Sequence, residues 1–434
     1  MTTTGPAAIS TTVLRLAQAD RFAEIRDMFA PNLRPMLTPE SLRAAWNAEL
    51  ERYGPVTTVG APVTDPAGPG GTLVRTPVVF TNGQVTMLAT VTDSGWVTGI
   101  QFAGAEAARP TEPWQPPDYA DPAAFHEHDV TLGSGQLTVG GTLALPHAPG
   151  PHPAVVLLPG SGPMDRDETI GRNKPFKDLA WGLASRGVAV LRFDKVTLTH
   201  SGHAADFTVD FTVDDEYVHH ATAAAHLLRQ QRTIEPSRVY VLGHSLGGTV
   251  APRVAAADPS VAGLILLAGG AQPMHWAAVR QVRYLSSLDP ASADAAQPTI
   301  DTLTRQARTV DSPDLSASTP AHDLPFGVPA AYWLDLRGYD PAATAAALGR
   351  PMLILQGGRD YQATVDDDLA RWRAALAGSP SVTVRIYGAD NHMFFTGSGP
   401  SKPSEYEPAQ HMDPAVITDI ANWLISQPSP AVSA

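Results

Sequence analysis

The sequence predicts an α/β fold: a mostly parallel, doubly wound sheet with a helical cap insertion, preceded by a small α+β domain. Three observations support this prediction. Near-continuous apolar runs recur between residues 154 and 357 with helical segments between them, a pattern typical of strands buried on both faces of a parallel sheet. Residues 271–348 separate two such runs by more than one crossover helix requires. Residues 1–104 change from helical spacing to strand-like alternation.

The predicted N-terminal domain covers residues 1–104. Four apolar residues between Leu14 and Phe29 fall at helical spacing, and Thr38-Pro39-Glu40 combines an N-cap residue with proline at the first helical position. The segments LVRTPVVF and QVTMLATVT flank Thr81-Asn82-Gly83, which predicts a β-hairpin, and GWVTGIQF predicts another strand. Residues 105–127 contain five prolines without periodicity and are expected to be an extended linker.

The second predicted domain covers residues 128–434. Its expected buried strands are AVVLLP (154–159), VAVLRF (188–193), VYVLG (239–243), LILLAG (264–269) and MLILQG (352–357). Helices are expected between them at residues 174–186, 215–229 and 245–256. Residues 271–348 contain amphipathic stretches that predict a helical cap over the sheet.

Composition restricts the classes of partner and chemistry. The net charge of −13 over 434 residues argues against a nucleic-acid-binding surface. The chain has no cysteine, which excludes disulfides, thiolate metal sites and a cysteine nucleophile. It lacks a secretory signal pattern and any run of 18 apolar residues, so we expect a cytoplasmic protein without membrane insertion. Whether it forms a homo-oligomer is left open.

The candidate nucleophile is Ser245, in the segment VYVLGHSLGG. The G-x-S-x-G spacing places a serine on a sharp strand-to-helix turn, where flanking glycines let neighbouring backbone approach. The backbone N–H of Leu246, at the helix start, can then face a developing oxyanion. The alternative is a chance match in a glycine-rich loop, and the predicted strand before the motif and helix after it argue against that.

A serine nucleophile requires a base and an orienting acid, which in this arrangement follow in the order acid, then histidine. Only His392 and His411 follow the last parallel run, and His392 is favoured because it lies in a loop just past the strand VTVRIYG. Asp360 leaves the end of the preceding strand and is the expected acid. Residues 366–368, all aspartates, are interpreted instead as the first turn of a solvated helix.

A second oxyanion donor is expected from the loop LLPGSGPMDRDE, through the backbone N–H of Ser161 or Gly162. A dinucleotide-binding loop is the alternative, but Asp165 occupies the place of the next required glycine. The candidate substrate-binding residues are Tyr332, Trp333, Tyr361 and His244, and the first two could equally anchor a cap helix.

Other histidines could in principle bind a metal: His219, His220 and His226 on one helix, and His200 and His203 in a loop. They lack metal-ligand spacing, so packed or solvent-facing histidines are the preferred interpretation and no metal is expected.

Several segments together resemble the α/β-hydrolase superfamily, over about residues 128–428. They are LLPGSGPMDRDETIG, VLRFDK, GHSLGG, YWLDLRGYDP, LILQGGRDYQ and NHMFF, and within the superfamily they are similar to bacterial two-domain serine carboxylesterases with a small N-terminal domain of unknown function. The resemblance implies an α/β-hydrolase fold and hydrolysis of short- to medium-chain acyl esters. It also implies a triad of Ser245, Asp360 and His392, with oxyanion donors at Leu246 and near Ser161.

The chain departs from that pattern at Val196, where arginine is common, and at His219-His220, where acidic residues are expected. We therefore expect a small-molecule ester or other acyl substrate, no cofactor, and an acyl-enzyme on Ser245. A thioesterase, lactonase, cyclase or acyltransferase using the same triad is the alternative within this chemistry. A non-catalytic binding protein on a hydrolase scaffold is the alternative of another class.

Overall fold

The computed structural model describes residues 5–31, 33–34, 37–66, 71–108, 113–200, 210–288 and 293–428. The chain divides into two compact units, residues 1–113 and 114–434. The boundary falls inside the segment for which the sequence predicts a linker at 105–127. That linker prediction extends too far, because Phe125 already begins a strand of the second unit.

The first unit places three helices on an antiparallel sheet. Strand β3 pairs with β1, β2 and β4, and β4 pairs with β5. The expected hairpin joins β3 to β4 with Phe80 opposite Gly83, and α3 begins with a capping box between Thr38 and Ser41. The elements are α1 (Pro6–Gln18), α2 (Phe22–Met28), α3 (Pro39–Tyr53), β1 (Val56–Val59), β2 (Val63–Pro66), β3 (Gly71–Phe80), β4 (Gly83–Thr92) and β5 (Val97–Gly104).

The second unit is built on an eight-stranded sheet with the order β13-β12-β11-β10-β8-β9-β7-β6. Strands β8 to β13 pair in parallel, whereas β7 pairs antiparallel with both β6 and β9. The strands are β6 (Phe125–Leu132), β7 (Val139–Pro146), β8 (His152–Leu158), β9 (Ala189–Phe193), β10 (Ile234–His244), β11 (Leu264–Leu267), β12 (Met352–Gly357) and β13 (Val382–Tyr387).

Helices cover both faces of this sheet. The helices of the second unit are α4 (Pro175–Ala184), α5 (Val196–Thr199), α6 (His219–Arg229), α7 (Leu246–Ala257), α8 (Met274–Leu288), α9 (Ala293–Asp311), α10 (Ala330–Arg337), α11 (Pro341–Leu348), α12 (Ala370–Ala375) and α13 (Pro414–Ser426). Helices α8 to α11 lie between β11 and β12, the interval for which the sequence predicts a cap. Within the described ranges, no helix has both the length and the apolarity to cross a bilayer.

Strand β8 shows why the central runs are apolar without alternation. Ala154, Val156 and Leu158 belong to the core on one face of the sheet, and Val155 and Leu157 to the core on the other. Each of these side chains is fully buried. Burial on both faces removes the requirement for polar residues at alternate positions.

Strand order determines where a site can form. The chain leaves β8 for β9 on one side and returns to β10 on the other, so the order reverses between β8 and β10. Loops that leave the carboxyl ends of two such strands diverge and leave a crevice between them. The loop after β8 and the turn after β10 therefore flank the expected binding position.

A buried carboxylate fastens the start of the second unit to its body. Asp178, in α4, accepts hydrogen bonds from Trp114 Nε1 at 2.9 Å, His411 Nδ1 at 3.0 Å and the Met412 backbone N–H at 3.0 Å. The Trp114 ring also packs edge-on against Trp181, with 5.0 Å between centroids. His411 is thus engaged in this packing.

His411 makes that packing sensitive to pH. The hydrogen bond to Asp178 raises the pKa of His411, so the folded chain holds this proton more tightly than the unfolded chain, in which a histidine has a pKa of about 6.5. The stabilisation is complete below about pH 6.5 and is lost as the pH rises through the folded-state pKa. We compare the urea midpoint of unfolding of the wild type with that of His411→Gln. The difference between the two midpoints should decrease as the pH rises from about 6 to about 8.5.

The control for this measurement is His128→Gln, which changes an exposed histidine on β6. It should retain the pH dependence of the wild type. Identical pH dependence in His411→Gln and the wild type would contradict the assignment.

Candidate active site

Ser245 occupies a sharp turn between β10 and α7. Its backbone has φ 53° and ψ −120°, a conformation that a residue with a Cβ rarely adopts and that costs about 1–3 kcal/mol. The Ser245 N–H donates to the Leu267 carbonyl at 2.9 Å, which anchors the turn to β11. The strain is therefore held in place by the adjacent sheet.

The glycines on each side of Ser245 allow this turn. A Cβ on Gly243 would lie 2.1 Å from the Gly247 carbonyl oxygen, and a Cβ on Gly247 would lie 2.2 Å from the Leu158 carbonyl oxygen. Both distances are far below van der Waals contact, and both involve backbone atoms. The two glycines of the G-x-S-x-G motif are thus required because backbone atoms approach each of them too closely for a side chain.

The loop after β8 passes directly beside the serine. A Cβ on Gly160 would lie 3.3 Å from the Ser245 Cβ. Ser161 lines the same cavity as Ser245 and Leu246, whereas Gly162, with φ +84°, is not part of that lining. Of the two predicted donors in this loop, the structure brings Ser161 to the site.

Asp360 and His392 meet at the ends of neighbouring strands. Asp360 follows β12 and His392 follows β13, and His392 Nδ1 lies 2.7 Å from Asp360 Oδ2. The other carboxylate oxygen, Oδ1, accepts the backbone N–H groups of Gln362 at 2.7 Å and Ala363 at 3.1 Å. These bonds orient the carboxylate toward His392. An imidazole Nδ1 that faces a carboxylate oxygen donates its N–H to it, so Nε2 is the acceptor nitrogen of the neutral ring.

Ser245, Leu246, Ser161 and His392 line one cavity of about 500 Å³, a size suited to a small organic molecule. A sequence profile of the alpha/beta hydrolase family matches residues 155–406. This chain belongs to the alpha/beta hydrolase family. The predicted α/β-hydrolase fold with a mostly parallel sheet is thereby confirmed, and the five apolar runs form five of the eight strands of that sheet.

Two relatives match different shares of this chain. Esterase EstD of Thermotoga maritima is 38% identical over 346 residues, which cover 80% of this chain and 78% of the relative. The 2,6-dihydropseudooxynicotine hydrolase of Paenarthrobacter nicotinovorans is 30% identical over 132 residues, covering 30% and 32%. Among solved structures, an esterase of Pyrococcus furiosus is 15% identical, covers 73% of this chain and 95% of its own, and has a TM-score of 0.43.

The sequence did not single out Glu168, the residue that joins the loops of the hydrolase site. Glu168 is 1% exposed, and its Oε1 accepts the Gly160 N–H at 2.6 Å and a hydrogen bond from His244 Nδ1 at 2.9 Å. His244 Nε2 in turn lies 2.9 Å from the His392 carbonyl oxygen. The loop after β8, the turn that contains Ser245 and the loop that contains His392 are thus joined by two side chains, Glu168 and His244.

His244 is charged in this arrangement. Both of its ring nitrogens face acceptors, so both must donate, which requires the imidazolium form. Burial opposes that charge, but the Glu168 carboxylate outweighs it and raises the pKa of His244. Because its nitrogens are engaged by protein atoms and the side chain does not line the cavity, we assign His244 a positioning role instead of the predicted contact with substrate.

The other predicted substrate-binding side chains also lie outside the cavity lining. The Tyr332 hydroxyl donates to Glu216 Oε2 at 2.6 Å, and the Trp333 side chain is fully buried inside the cap. Tyr361 is stacked on Tyr284, with 4.9 Å between ring centroids. These three aromatic residues anchor the cap and its surroundings, which the sequence left as the alternative for Tyr332 and Trp333.

The cavity instead takes its cap side from α8 and from the junction of α10 with α11. His275 and Tyr339 are examples that the sequence interpretation missed, although both lie within residues 271–348, for which it predicts the cap. The cap residues in the lining are Ala271, Gln272, Pro273, Met274, His275, Ala277, Ala278, Gln281, Asp311, Phe326, Leu336, Arg337, Gly338, Tyr339, Asp340 and Pro341.

One prediction about the aspartate run was wrong. Asp366 and Asp367 are exposed as expected, but Asp368 is 1% exposed. Its carboxylate accepts the N–H groups of Ala271 and Gln272, both at 2.9 Å, and receives Arg280 Nη2 at 2.7 Å. The side chain therefore fixes the first residues of the cap, and its partners lie too far along the chain for a local pattern to reveal them.

Three of the histidines that the sequence raised as metal ligands hydrogen-bond to protein groups instead. His220 Nε2 lies 2.8 Å from the Leu137 carbonyl oxygen, His200 Nε2 lies 2.9 Å from that of Thr138, and His226 Nε2 bonds Gln230. His219 is exposed and His203 lies outside the described residues. In the part of the chain that the structure describes, no group of three or more His, Asp or Glu side chains is placed to hold a metal ion.

Val196, the position at which the chain departs from the resembled pattern, is fully buried in the core.

The turn geometry predicts the effect of a single methyl group. Gly243→Ala places a Cβ in contact with backbone atoms on the other side of the turn, so we expect loss of folded protein or a fall in ester hydrolysis of at least about 100-fold. Far-UV circular dichroism and initial rates on a p-nitrophenyl ester measure the two outcomes.

Gly388→Ala is the matched control, because a Cβ at Gly388 meets nothing within 4 Å and its backbone does not have positive φ. It should leave fold and rate unchanged. A fully active Gly243→Ala variant would show that the turn differs from the one described.

Proposed function

We propose that this chain is a serine carboxylesterase that hydrolyses small carboxylic esters through an acyl-enzyme on Ser245. The observation that carries the proposal is the shared cavity of Ser245, Ser161, Leu246 and His392, with Asp360 bonded to His392 at 2.7 Å. The 38% identity with Esterase EstD of Thermotoga maritima over most of both chains supports the same activity.

The first half of the reaction is acylation. His392 removes the proton of the Ser245 hydroxyl as its oxygen attacks the ester carbonyl. The carbonyl oxygen becomes negative and is held by the backbone N–H groups of Leu246 and Ser161, an effect worth about 3 kcal/mol per donor. Asp360 stabilises the imidazolium that forms, and His392 then protonates the departing alcohol.

The second half releases the acid. Water enters the cavity, His392 takes one of its protons, and the resulting hydroxide attacks the acyl carbon. The same two N–H donors hold the second oxyanion. The proton on His392 returns to the Ser245 oxygen as the carboxylic acid leaves.

The side chains of the cavity suit a small substrate of mixed polarity. Met274, Ala278 and Leu336 offer apolar contact, whereas Gln281 and Arg337 can form hydrogen bonds. Most of these residues belong to the cap, which therefore selects the substrate. A series of p-nitrophenyl esters of increasing chain length, run beside thioesters and lactones, will define the preferred acyl group.

Ser245→Ala should reduce kcat/KM for p-nitrophenyl esters by about 10⁴-fold or more while the fold is retained, because the alkoxide cannot form. The wild type should also react covalently with a fluorophosphonate probe at Ser245, detected by mass spectrometry of the intact chain. The control is Ser426→Ala, at the exposed end of α13, which should behave as the wild type.

Three results would contradict this proposal. Esterase activity in Ser245→Ala would exclude Ser245 as nucleophile. Absence of labelling and of turnover in the folded wild type would favour a binding protein on a hydrolase scaffold. Ester products in the presence of an alcohol, in place of free acid, would instead indicate an acyltransferase with the same acyl-enzyme.

A further inference from the structure

A fully buried lysine contacts the loop after β8 that contains Gly160 and Ser161, which we call the oxyanion loop. The acyl-transfer steps above do not use this lysine. Lys195 follows β9 and its side chain has no exposed surface. Its Nζ donates to the Gly160 carbonyl oxygen at 3.0 Å and to the Tyr217 hydroxyl at 2.7 Å, and lies 2.7 Å from Glu216 Oε1. Such a group is expensive to bury unless its charge and hydrogen bonds are satisfied.

The partners of Lys195 fix its protonation state. The Tyr217 hydroxyl gives its single proton to the Gly160 carbonyl oxygen at 2.7 Å, so it can only accept from Lys195. The Gly160 and Glu216 oxygens are acceptors as well. Three acceptors require three N–H donors, which only the ammonium form provides. Burial lowers the pKa of Lys195, and the Glu216 carboxylate opposes that effect.

The Gly160 carbonyl therefore receives two hydrogen bonds, one of them from a cation. This carbonyl belongs to the same peptide group as the Ser161 N–H, and in a planar trans peptide the two bonds point in opposite directions. The carbonyl faces the buried Lys195 and Tyr217, and Ser161 lines the cavity that contains Ser245. The peptide thus has one end in the protein interior and the other at the reacting centre.

The next peptide back along the chain is also held. The Gly160 N–H donates to Glu168 Oε1 at 2.6 Å, and that carboxylate is itself buried. Both peptide groups that flank the Gly160 Cα are thereby fixed by charged side chains. Rotation of the Ser161 N–H away from the cavity would break the bonds to Lys195 and Tyr217.

We propose that Lys195 and Tyr217 are positioning residues that orient and polarise the Gly160–Ser161 peptide, which strengthens the Ser161 N–H as an oxyanion donor. The inference rests on the proposed acyl-transfer function. Hydrogen bonds arranged in series polarise one another, and a charged first donor increases the effect. The contribution appears only when negative charge develops on the substrate, which is the condition for faster chemistry.

The same network extends into the cap. Glu216 Oε1 lies at Lys195, and Glu216 Oε2 accepts the Tyr332 hydroxyl of α10 at 2.6 Å. Burial, together with Glu216, raises the pKa of Tyr332, so its hydroxyl stays protonated and donates. A cap residue therefore holds the carboxylate that balances the charge of Lys195.

The primary test is Tyr217→Phe, which removes one of the two donors to the Gly160 carbonyl and keeps the ring. We expect kcat/KM for p-nitrophenyl butyrate, per active site titrated with fluorophosphonate, to fall about tenfold, less than the 10²–10³ typical of deleting a donor. The affinity for a trifluoromethyl ketone, whose adduct with Ser245 places an oxyanion in the same site, should fall by the same factor.

The matched control is Tyr387→Phe. It removes a tyrosine hydrogen bond of equal length, 2.7 Å to Asp419 Oδ2 on α13, away from the oxyanion loop. It should leave both the rate per titrated site and the ketone affinity unchanged, whatever its effect on thermal stability.

A second variant removes the charge of Lys195. Lys195→Met alone would leave Glu216 buried without a counter-charge and could unfold the protein, so Glu216→Gln is combined with it. The double variant should lose more activity and more ketone affinity than Tyr217→Phe, because both the cation and its hydrogen bond are absent.

The outcomes separate this inference from the proposed function. Unchanged rate per titrated site and unchanged ketone affinity in both variants would overturn the positioning role, even if the variants were less stable. Failure of the wild type itself to react with fluorophosphonate would overturn the function and not this inference alone. Parallel losses in rate and ketone affinity support the inference.

Discussion

The close approach of backbone at the carboxyl edge of the sheet is the constraint on which the rest of the site depends. Gly247, in the first turn of α7, packs against the Leu158 carbonyl at the end of β8, and Gly243 packs against Gly247. These contacts leave no room for a side chain. They bring the serine turn and the loop after β8 side by side, at the position where strand order reverses. Every other component of the site is arranged around this contact.

Where backbone segments pack this closely, their N–H and carbonyl groups must form hydrogen bonds with protein atoms instead of water. In this site buried charged side chains provide those hydrogen bonds. Glu168 and His244 form one ion pair, and Lys195 and Glu216 form another. Each pair holds loop backbone as well as its partner, through the Gly160 N–H, the His392 carbonyl and the Gly160 carbonyl. Buried ion pairs contribute little to stability by themselves. Here they fix the orientation of peptide groups, which a hydrophobic substitute could not do.

The sequence predicts those parts of the site that local pattern determines. The run before Gly243 is apolar because β10 is buried on both faces, and the glycine spacing around Ser245 follows from the steric limits of the turn. Chain order and strand ends then point to Asp360 and His392, which the structure places 2.7 Å apart. The mostly parallel sheet was predictable from its apolar runs, whereas the antiparallel strands β6 and β7 were not among the predicted strands. The extent of the linker was not predictable, because β6 is an edge strand with mixed burial and lacks the apolar run of a central strand.

The parts that the sequence did not reveal depend on contacts between distant segments. Glu168 stands among other acidic residues, and nothing local distinguishes it from Asp165 or Asp167 until Gly160 and His244 surround it. Asp368 looks like a solvated residue beside Asp366 and Asp367, yet the backbone N–H groups of the cap that it accepts lie 97 and 96 residues earlier in the chain. Tyr332 and Trp333 are aromatic residues of the kind that often line binding pockets. Only the packing of the cap shows that their side chains are buried in the protein.

The hydrogen bond from Tyr332 to Glu216 has a consequence for how such a protein can diversify. A cap is usually regarded as a replaceable part, exchanged or rebuilt to admit new substrates over an unchanged catalytic base. In this chain the cap hydroxyl of Tyr332 donates to Glu216, which pairs with Lys195. Lys195 in turn donates to the Gly160 carbonyl in the loop after β8. A transplanted cap that lacked a donor at this position would alter the reaction centre together with the pocket. A cap placed on this chain would therefore keep the network only if it carried such a donor, or if Glu216 and Lys195 were changed at the same time.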